Sequence, residues 1–494
     1  MHFMSNMREI ESQNLCLLLT LALATATAIC TAVDHERESR TLAGVVLGMC
    51  AIVVALIIWN KIYFLPQPEV PSLRPIGVFR IGRRSMHWPM YGKFEIAGVA
   101  RSIPAILIGA LLAARFIHAL IAKTPLTLRL LLQLIVLLTT FIWALAFTEA
   151  SIWRPVHYAG ARYGLERFAS ASDLLQNFVS LQKDLGTFNR HYPPGFMLLM
   201  LFEDQLHVPG AIALIAPFIG ALSLVAMNAL GKALELSDRT RLIALSLTAF
   251  STGLVIYASL TPTILILPIS IMAFVCLIKW LKTGNLSAAL CFGGLIAVYS
   301  FFSLTTGMLG LALTAFLIES IRTRAVTVRR AIVGVVMALV VFSAVFLLLF
   351  RATGFDLIAC AREGYFRAVQ SNGRAFDDPI RYWLRGSGSV LAYIASCGPA
   401  LGLLGLAATG RRLSGNAFVQ PLAFGAACGV LLSGLLGLGQ LETERIWVFF
   451  TPPLALAAAA LITARHPRRN WVPIVAIVSA VVFCLSQELL YRHY

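Results

Sequence analysis

Charged residues are scarce in this chain. Only 13% of its 494 residues are Asp, Glu, Lys or Arg, whereas about a quarter of the residues of soluble globular proteins are charged. Hydrophobic residues make up 59% of the chain, and the mean hydropathy is +0.81. This composition excludes an ordinary soluble protein and indicates an all-α, polytopic membrane protein.

Acidic residues are fewer still, which leaves a formal net charge of +17. The Lys and Arg residues lie in short segments between apolar runs, and no basic domain or recognition motif accompanies them. Nucleic-acid binding is therefore not expected. Cations between apolar runs are typical of cytoplasmic loops, where they lie near anionic lipid headgroups.

The sequence also lacks paired cysteines. None of its nine cysteines forms a C-x-x-C motif, and only Cys360 lies in a polar interval. This pattern excludes a disulfide framework or a zinc site as the organising feature. Repeats of fixed period and low-complexity tracts are missing as well.

Long apolar runs dominate what is present. About 20 apolar residues are enough for one membrane-spanning helix, and the sequence predicts about 12–14 of them. The candidate spans are 14–33, 41–60, 102–122, 127–148, 209–230, 241–259, 262–280, 286–302, 303–320, 331–350, 388–408, 417–437, 447–464 and 471–487. Polar intervals remain at 61–101, 149–193 and 351–387.

Charge counting orients the C-terminal part of the chain. The segment IRTRAVTVRR carries four arginines and no acid, and GRR and ARHPRR are similar, so these loops should be cytoplasmic. Alternation then places three segments outside: 149–208, 351–387 and 437–445. The loop 61–101 stays open, because its basic residues favour the cytoplasm and alternation favours the outside.

The first outer segment contains two expected helices. In SASDLLQNFVSLQKDLGTF, apolar residues recur at helical spacing, which predicts an amphipathic helix on the outer membrane surface. The run at 195–207 is too short to cross the bilayer. It should be a half-inserted helix that begins after Pro193 and Pro194.

Several polar residues of the outer segments are candidate site residues. Glu149 ends an apolar span between two tryptophans, where it can be a general base or an ordinary helix-end acid. His191 and Tyr192 precede the two prolines and Gly195, which allows close approach of another backbone or of a ligand. This junction can equally be a simple helix start.

Charged groups of the outer segments are candidates for binding an anion such as a lipid phosphate. For each of them the alternative is ordinary interfacial or surface charge. Glu442, Glu444 and Arg445 stand just before an apolar span, where charges are usually paired. The other candidates are Lys183, Arg190, Arg351, Arg362, Arg367, Arg374, Arg381 and Arg385.

Two motifs carry a resemblance to a known family. HYPPG at 191–195 and ETERIWVFFTPP at 442–453 resemble segments of integral-membrane glycosyltransferases of the GT-C fold, in a bacterial branch. RPVHYAG at 154–160, GLIAVYSFFSL and YWLRGSGSVLAYIASCGPAL look like further parts of the same branch. The resemblance covers 127–487, the expected catalytic unit. Residues 1–126 match no part of this branch and are expected to form a separate N-terminal part with extra membrane helices and a basic loop.

The resemblance implies sugar transfer from a polyprenyl-phosphate donor to a glycan, lipid or protein acceptor on the extracytoplasmic face of a bacterial plasma membrane. Glu149 is the implied base, with Asp173 as a second candidate. Many members carry an Asp or an acid pair there, whereas FTEAS has a lone Glu. His157, Tyr158 and the groups above are the implied substrate-binding residues. No metal is needed in principle, although a divalent ion is not excluded.

Other functions predict other patterns. A transporter or lipid flippase predicts charged mid-span residues, paired half-helices and internal pseudo-symmetry, of which the sequence shows almost none. A non-enzymatic scaffold predicts no polar cluster at one face. An outer-face polysaccharide ligase or polymerase remains an alternative, because it uses similar donors and outer-loop arginines.

Overall fold

The chain folds into a helical bundle, described here from a computed structural model. The structure describes residues 78–81, 84–87, 99–148, 162–208, 211–258, 263–372, 379–410, 416–436 and 446–490. The predicted spans 14–33 and 41–60 lie outside these ranges. The one departure from all-α structure among them is a short antiparallel hairpin of β1 (Val78–Ile81) and β2 (Arg84–His87).

The helices follow the predicted spans closely. The first nine are α1 Val99–Ile121, α2 Leu128–Thr148, α3 Ala171–Leu181, α4 Thr187–His191, α5 Gly195–Gln205, α6 Ala211–Ala233, α7 Asp238–Ala249, α8 Thr252–Val255 and α9 Thr263–Thr283. The next nine are α10 Leu286–Phe302, α11 Thr306–Arg322, α12 Val328–Thr353, α13 Leu357–Asn372, α14 Pro379–Ser396, α15 Pro399–Thr409, α16 Val419–Leu435, α17 Thr451–Arg465 and α18 Trp471–Leu490.

Within the described ranges, six helical segments are long and apolar enough to cross a bilayer, or seven if the bent pair α7–α8 forms one span. This supports a polytopic membrane protein. This number does not include the predicted spans 14–33 and 41–60, which lie outside the described residues, and several of the described apolar helices are shorter than a full span. The predicted division of 286–320 at SLTTG is confirmed, since α10 ends at Phe302 and α11 begins at Thr306.

The loops predicted to be cytoplasmic lie together at one end of the bundle, where polar contacts join them. The chain turns there between α1 and α2, α6 and α7, α9 and α10, and α11 and α12. The bonds that join these turns are Leu126 N to Asp238 Oδ2 (3.0 Å), Lys282 Nζ to Glu235 Oε1 (2.9 Å), Arg330 Nη1 to Leu281 O (3.0 Å), Arg239 Nη1 to Asn470 Oδ1 (2.8 Å) and Gln420 Nε2 to Glu319 Oε1 (2.7 Å). We call this the basic end.

The opposite end carries a compact cap of short helices. It consists of residues 162–208, which contain α3 to α5, together with α13; we call it the loop layer. α13 packs against α3 and α4, and α5 packs against α10. Residues 351–387, predicted as a second outer loop, are therefore largely helical. β2 contacts α14.

Two spans are broken inside the bundle. α7 and α8 meet at an angle of 59° around Phe250 and Ser251. α14 stops at Ser396 and α15 restarts at Pro399, with Gly398 between them at φ +88°, a conformation that glycine adopts without steric cost. Cys397 Sγ lies 3.4 Å from Thr451 Oγ1, the first residue of α17. The half-helix α15 thus begins beside α17, and both run to the basic end.

Candidate functional site

The amphipathic helix α3 covers the bundle instead of the membrane. Its side chains Leu174 and Phe178 are fully buried, and the Phe178 ring packs edge-on against Phe355 at 6.3 Å. The sequence-based expectation of an interfacial helix is corrected here, because its apolar side is satisfied by protein. The same small core contains Met197 and Cys360 from the other parts of the loop layer.

Ser170 is the N-cap of α3, and Asp173 lies in the first turn of the helix. Ser170 Oγ accepts a hydrogen bond from Asp173 N (3.1 Å), and Asp173 Oδ2 accepts one from Ala169 N (2.8 Å). This reciprocal pattern satisfies two backbone donors at the helix start. The bond from Ala169, followed by one from Asn177, lowers the pKa of the Asp173 carboxyl below its ordinary value.

The HYPPG junction is a tight packing point. α4 ends at His191, the two prolines follow, and α5 begins at Gly195. A Cβ on Gly195 would lie 2.7 Å from the carbonyl oxygen of Phe301, closer than real Cβ contacts allow. The sequence left open whether a backbone or a ligand approaches Gly195 closely, and in the structure it is the backbone of Phe301. Tyr192 is buried, with its ring 6.0 Å from that of Phe196.

A buried hydroxyl cluster occupies the turn between α10 and α11. Tyr299 Oη lies 2.7 Å from Thr305 Oγ1, and Ser303 Oγ lies 2.9 Å from the same atom. Ser300 Oγ donates to Thr306 Oγ1 at 2.9 Å. These bonds satisfy polar groups in an otherwise apolar region, where unpaired ones are costly. The sequence reasoning missed this cluster, although YSFFSLTT is the densest hydroxyl run between two apolar spans.

The segment that follows ETER reaches the same turn. Trp447 and Phe450 are fully buried, and the ring of Phe449 lies 6.2 Å from that of Tyr299. On the other side of the turn, the Phe302 ring lies 5.3 Å from that of Phe196. The α10–α11 turn therefore joins the two motifs that are far apart in the sequence.

One buried amide joins three segments that carry candidate cations. Gln182 Nε2 donates to the carbonyl oxygens of Arg190 (3.0 Å) and Cys360 (3.3 Å). Lys183 follows Gln182 and Arg362 lies two residues after Cys360, and both are exposed. Arg190 is half-buried, and its Nε donates to Leu185 O at 2.6 Å. Gln182 itself was not predicted.

Two carboxylates of the loop layer have structural partners. Arg162 Nη1 lies 3.1 Å from Glu203 Oε2 and Arg162 Nη2 pairs with Asp204. Glu203 is only 4% exposed and also accepts a hydrogen bond from Ile212 N. These contacts close the loop layer onto the start of α6. They were not foreseen, because the partners are forty residues apart in the sequence.

Other candidate residues lie at or beyond the limits of the described ranges. His191 is half-buried in α4, and Arg381 and Arg385 belong to the first two turns of α14. Tyr382 of the same turns donates a hydrogen bond to Leu435 O, which places this start at the loop-layer end. Glu149, His157, Tyr158, Glu442, Glu444 and Arg445 lie outside the described residues.

Thr148 and Ile446, the described residues next to Glu149 and Arg445 in the sequence, lie at the loop-layer end. α2 starts at the basic end and has 21 residues, so it rises about 30 Å and finishes at the opposite end with Thr148, directly before Glu149. Ile446, directly after Arg445, is buried next to Trp447, whose ring approaches Gly434 near the end of α16.

The described residues contain no group of three or more His, Cys, Asp or Glu side chains that could hold a metal ion. Their six cysteines are free thiols, and burial raises the pKa of the Cys360 thiol to about 12. In comparisons with known proteins, no family model, curated protein or solved structure matches this chain significantly.

Proposed function

We propose that this protein is a membrane glycosyltransferase of the GT-C type that moves a sugar from a polyprenyl-phosphate donor to a glycan, lipid or protein acceptor. The observation that carries the proposal is the meeting of the HYPPG junction and the segment after ETER at one buried turn. The Phe196–Phe302 and Tyr299–Phe449 contacts form this connection. Two motifs joined at one end of a bundle, under a cap of short helices, favour a shared site.

The chemistry of the proposal needs one base and several cations. An acceptor hydroxyl attacks the anomeric carbon, the bond from that carbon to the phosphate oxygen breaks, and the lipid phosphate leaves. Glu149 accepts the proton of the hydroxyl, with Asp173 as the weaker candidate because its carboxylate already caps α3. Cations of the loop-layer end stabilise the charge that develops on the phosphate: Lys183, Arg190, Arg362, Arg381 and Arg385. Arg445, which directly precedes Ile446 in the sequence, is proposed to act with them.

The distribution of charge supports an extracytoplasmic site. The basic end gathers arginine- and lysine-rich turns, which the positive-inside rule assigns to the cytoplasm. The loop layer lies at the opposite end. A lipid-linked donor would then be met at the outer surface of a bacterial plasma membrane, where its sugar and phosphate lie next to the cap.

Substitution of Glu149 tests the proposal. We expect Glu149→Gln to abolish sugar transfer in isolated membranes, because an amide cannot accept the proton, while the protein inserts at its normal level. Asp184→Asn is the matched control, since it removes an exposed carboxylate from the loop layer. Mass spectrometry of glycans and lipids from cells with and without the protein identifies the product. Full transfer by Glu149→Gln would remove Glu149 as the base.

A transporter or lipid flippase is the second candidate, and the broken spans favour it. Discontinuous helices near the middle of the bilayer often form transport sites, and the sequence did not reveal the breaks at Ser251 and Gly398. The region around Cys397 and Thr451 is filled by Tyr393 and Trp447, both buried. An unchanged glycan profile together with loss of a transported compound would favour this alternative. A changed polymer length would instead favour a polysaccharide ligase or polymerase.

A further inference from the structure

A groove between α1 and α2 opens on the outside of the bundle. Its volume is about 880 Å³, and it is lined mainly by Leu111, Leu132, Val136, Arg115, Arg129 and Gln133. The apolar side chains are well exposed, with 57% of Leu111, 52% of Leu132 and 63% of Val136 accessible. The groove is therefore a lipid-facing channel with a few polar groups along it.

The polar groups lie towards one end of this groove. Leu126, in the turn between α1 and α2, bonds to Asp238 at the basic end. Arg129 is the second residue of α2, and Arg115 lies six residues before the end of α1, about 9 Å along the axis. Leu111 and Val136 lie deeper. The groove is thus cationic near the bilayer surface and apolar towards the bilayer centre, which is the polarity of a lipid molecule.

Arg115 is held in place by an amide and an imidazole, not by a carboxylate. Its Nε and Nη2 donate to Gln133 Oε1 at 3.3 and 3.0 Å, and its Nη1 lies 3.3 Å from His118 Nδ1. Arg129 is exposed and has no hydrogen bond or ion pair with another described residue. No carboxylate lines the groove. Two arginines near the bilayer surface with no carboxylate beside them attract an anion at that depth.

We propose that this groove binds the headgroup of an anionic glycerophospholipid, with the phosphodiester between Arg115 and Arg129 and an acyl chain along Leu132 and Val136. Arginine suits this ligand because its guanidinium bonds phosphate through two nitrogens. The undescribed spans 14–33 and 41–60 are the other conceivable occupants. Neither contains an acid within its bounds, but Asp34, Glu36 and Glu38 directly follow 14–33; lipid retention by the full-length protein therefore distinguishes this occupant from a bound lipid.

Lipid retention by the purified full-length protein tests this site. Native mass spectrometry would compare binding of phosphatidylglycerol and phosphatidylcholine to wild type and to the double variant Arg115→Gln, Arg129→Gln. A surface cation contributes about fivefold to anionic lipid binding, so loss of two should lower phosphatidylglycerol affinity by roughly thirtyfold. Phosphatidylcholine binding should stay the same. Inorganic phosphate added at the same concentration should not displace the lipid.

Arg329→Gln is the matched control, because Arg329 is the exposed second residue of α12 at the same end. It should retain phosphatidylglycerol like wild type. Leu132→Trp keeps both arginines but fills the groove with a larger side chain, so it should also lose the lipid. It tests the site independently if the double variant does not fold. Equal retention by wild type, the double variant and Leu132→Trp would overturn the proposal. This is also the result expected if the chain's own N-terminal part, and not a lipid, fills the groove. Equal loss in Arg329→Gln, or displacement by phosphate, would also overturn it.

Discussion

The contact between Gly195 and Phe301 gives the sharpest test of how the HYPPG junction is used. A Cβ at position 195 would lie 2.7 Å from Phe301 O and 2.7 Å from Phe302 Cδ1. The oxygen belongs to the backbone of the last turn of α10, so it cannot rotate away as a flexible side chain would. Gly195→Ala must therefore push α5 away from the α10–α11 turn.

The cost of this displacement can be bounded. Extra atoms in a well-packed region cost about 1–3 kcal/mol, whereas replacing glycine by alanine in a helix gains about 0.5–1 kcal/mol. The net expectation is a loss of about 1–1.5 kcal/mol for Gly195→Ala, after subtracting the helix gain from the middle of the overpacking range. Sugar transfer should fall as well, because the junction and the segment after ETER meet at this turn.

Gly307→Ala supplies the control with the opposite sign. Gly307 lies in the first turn of α11 at the same end, and a Cβ there would meet nothing within 4 Å. This variant should be slightly more stable than wild type, because only the helix gain applies. The assay is thermal unfolding of both purified variants in the same detergent. If Gly195→Ala unfolds at the temperature of Gly307→Ala, the packing argument for HYPPG is refuted.

Two further predictions concern the loop layer. The lowered pKa of Asp173 means that its cap stabilises the fold at pH values above about 3.8 and is lost as the pH falls through the lower pKa of the folded state. The unfolding temperature of wild type should therefore exceed that of Asp173→Asn at neutral pH and converge with it in acid. Asp184→Asn controls for the loss of one charge, and a difference that persists at low pH would contradict the cap. For orientation, Lys183→Cys should react with an impermeant thiol reagent on intact cells, whereas Arg329→Cys should react only after the membrane is opened. Lys183 is exposed and therefore accessible to the reagent, and the reverse labelling would show that the loop layer faces the cytoplasm.

The position of the spans was predictable, because it depends on local composition. Runs of apolar residues must be helical in lipid, where each backbone polar group needs a partner within its own segment. The runs at 127–148 and 262–280 accordingly match α2 and α9. The division between α10 and α11 was visible too, since SLTTG places hydroxyls and a glycine between two apolar runs.

The role of the amphipathic helix was not predictable from its pattern. The spacing of Leu174 and Phe178 requires an apolar surface on one side, but lipid and protein satisfy that requirement equally well. Only the approach of Phe355 shows that protein fills this place. The breaks around Ser251 and Gly398 were not predictable either, because an apolar run has the same composition whether its helix is continuous or bent.

The sequence by itself determined the membrane class, the helical content and the concentration of basic residues in the turns of one end, because each depends on local polarity. Tertiary structure alone decided which distant segments meet. It brought Gln182 to Arg190 and Cys360, set Gly195 against Phe301, and left Arg115 and Arg129 lining an open groove on the outside of the bundle. These contacts depend on the packing of helices far apart in the chain, and that packing is set by shape complementarity across the whole bundle, which periodicity within one segment does not contain.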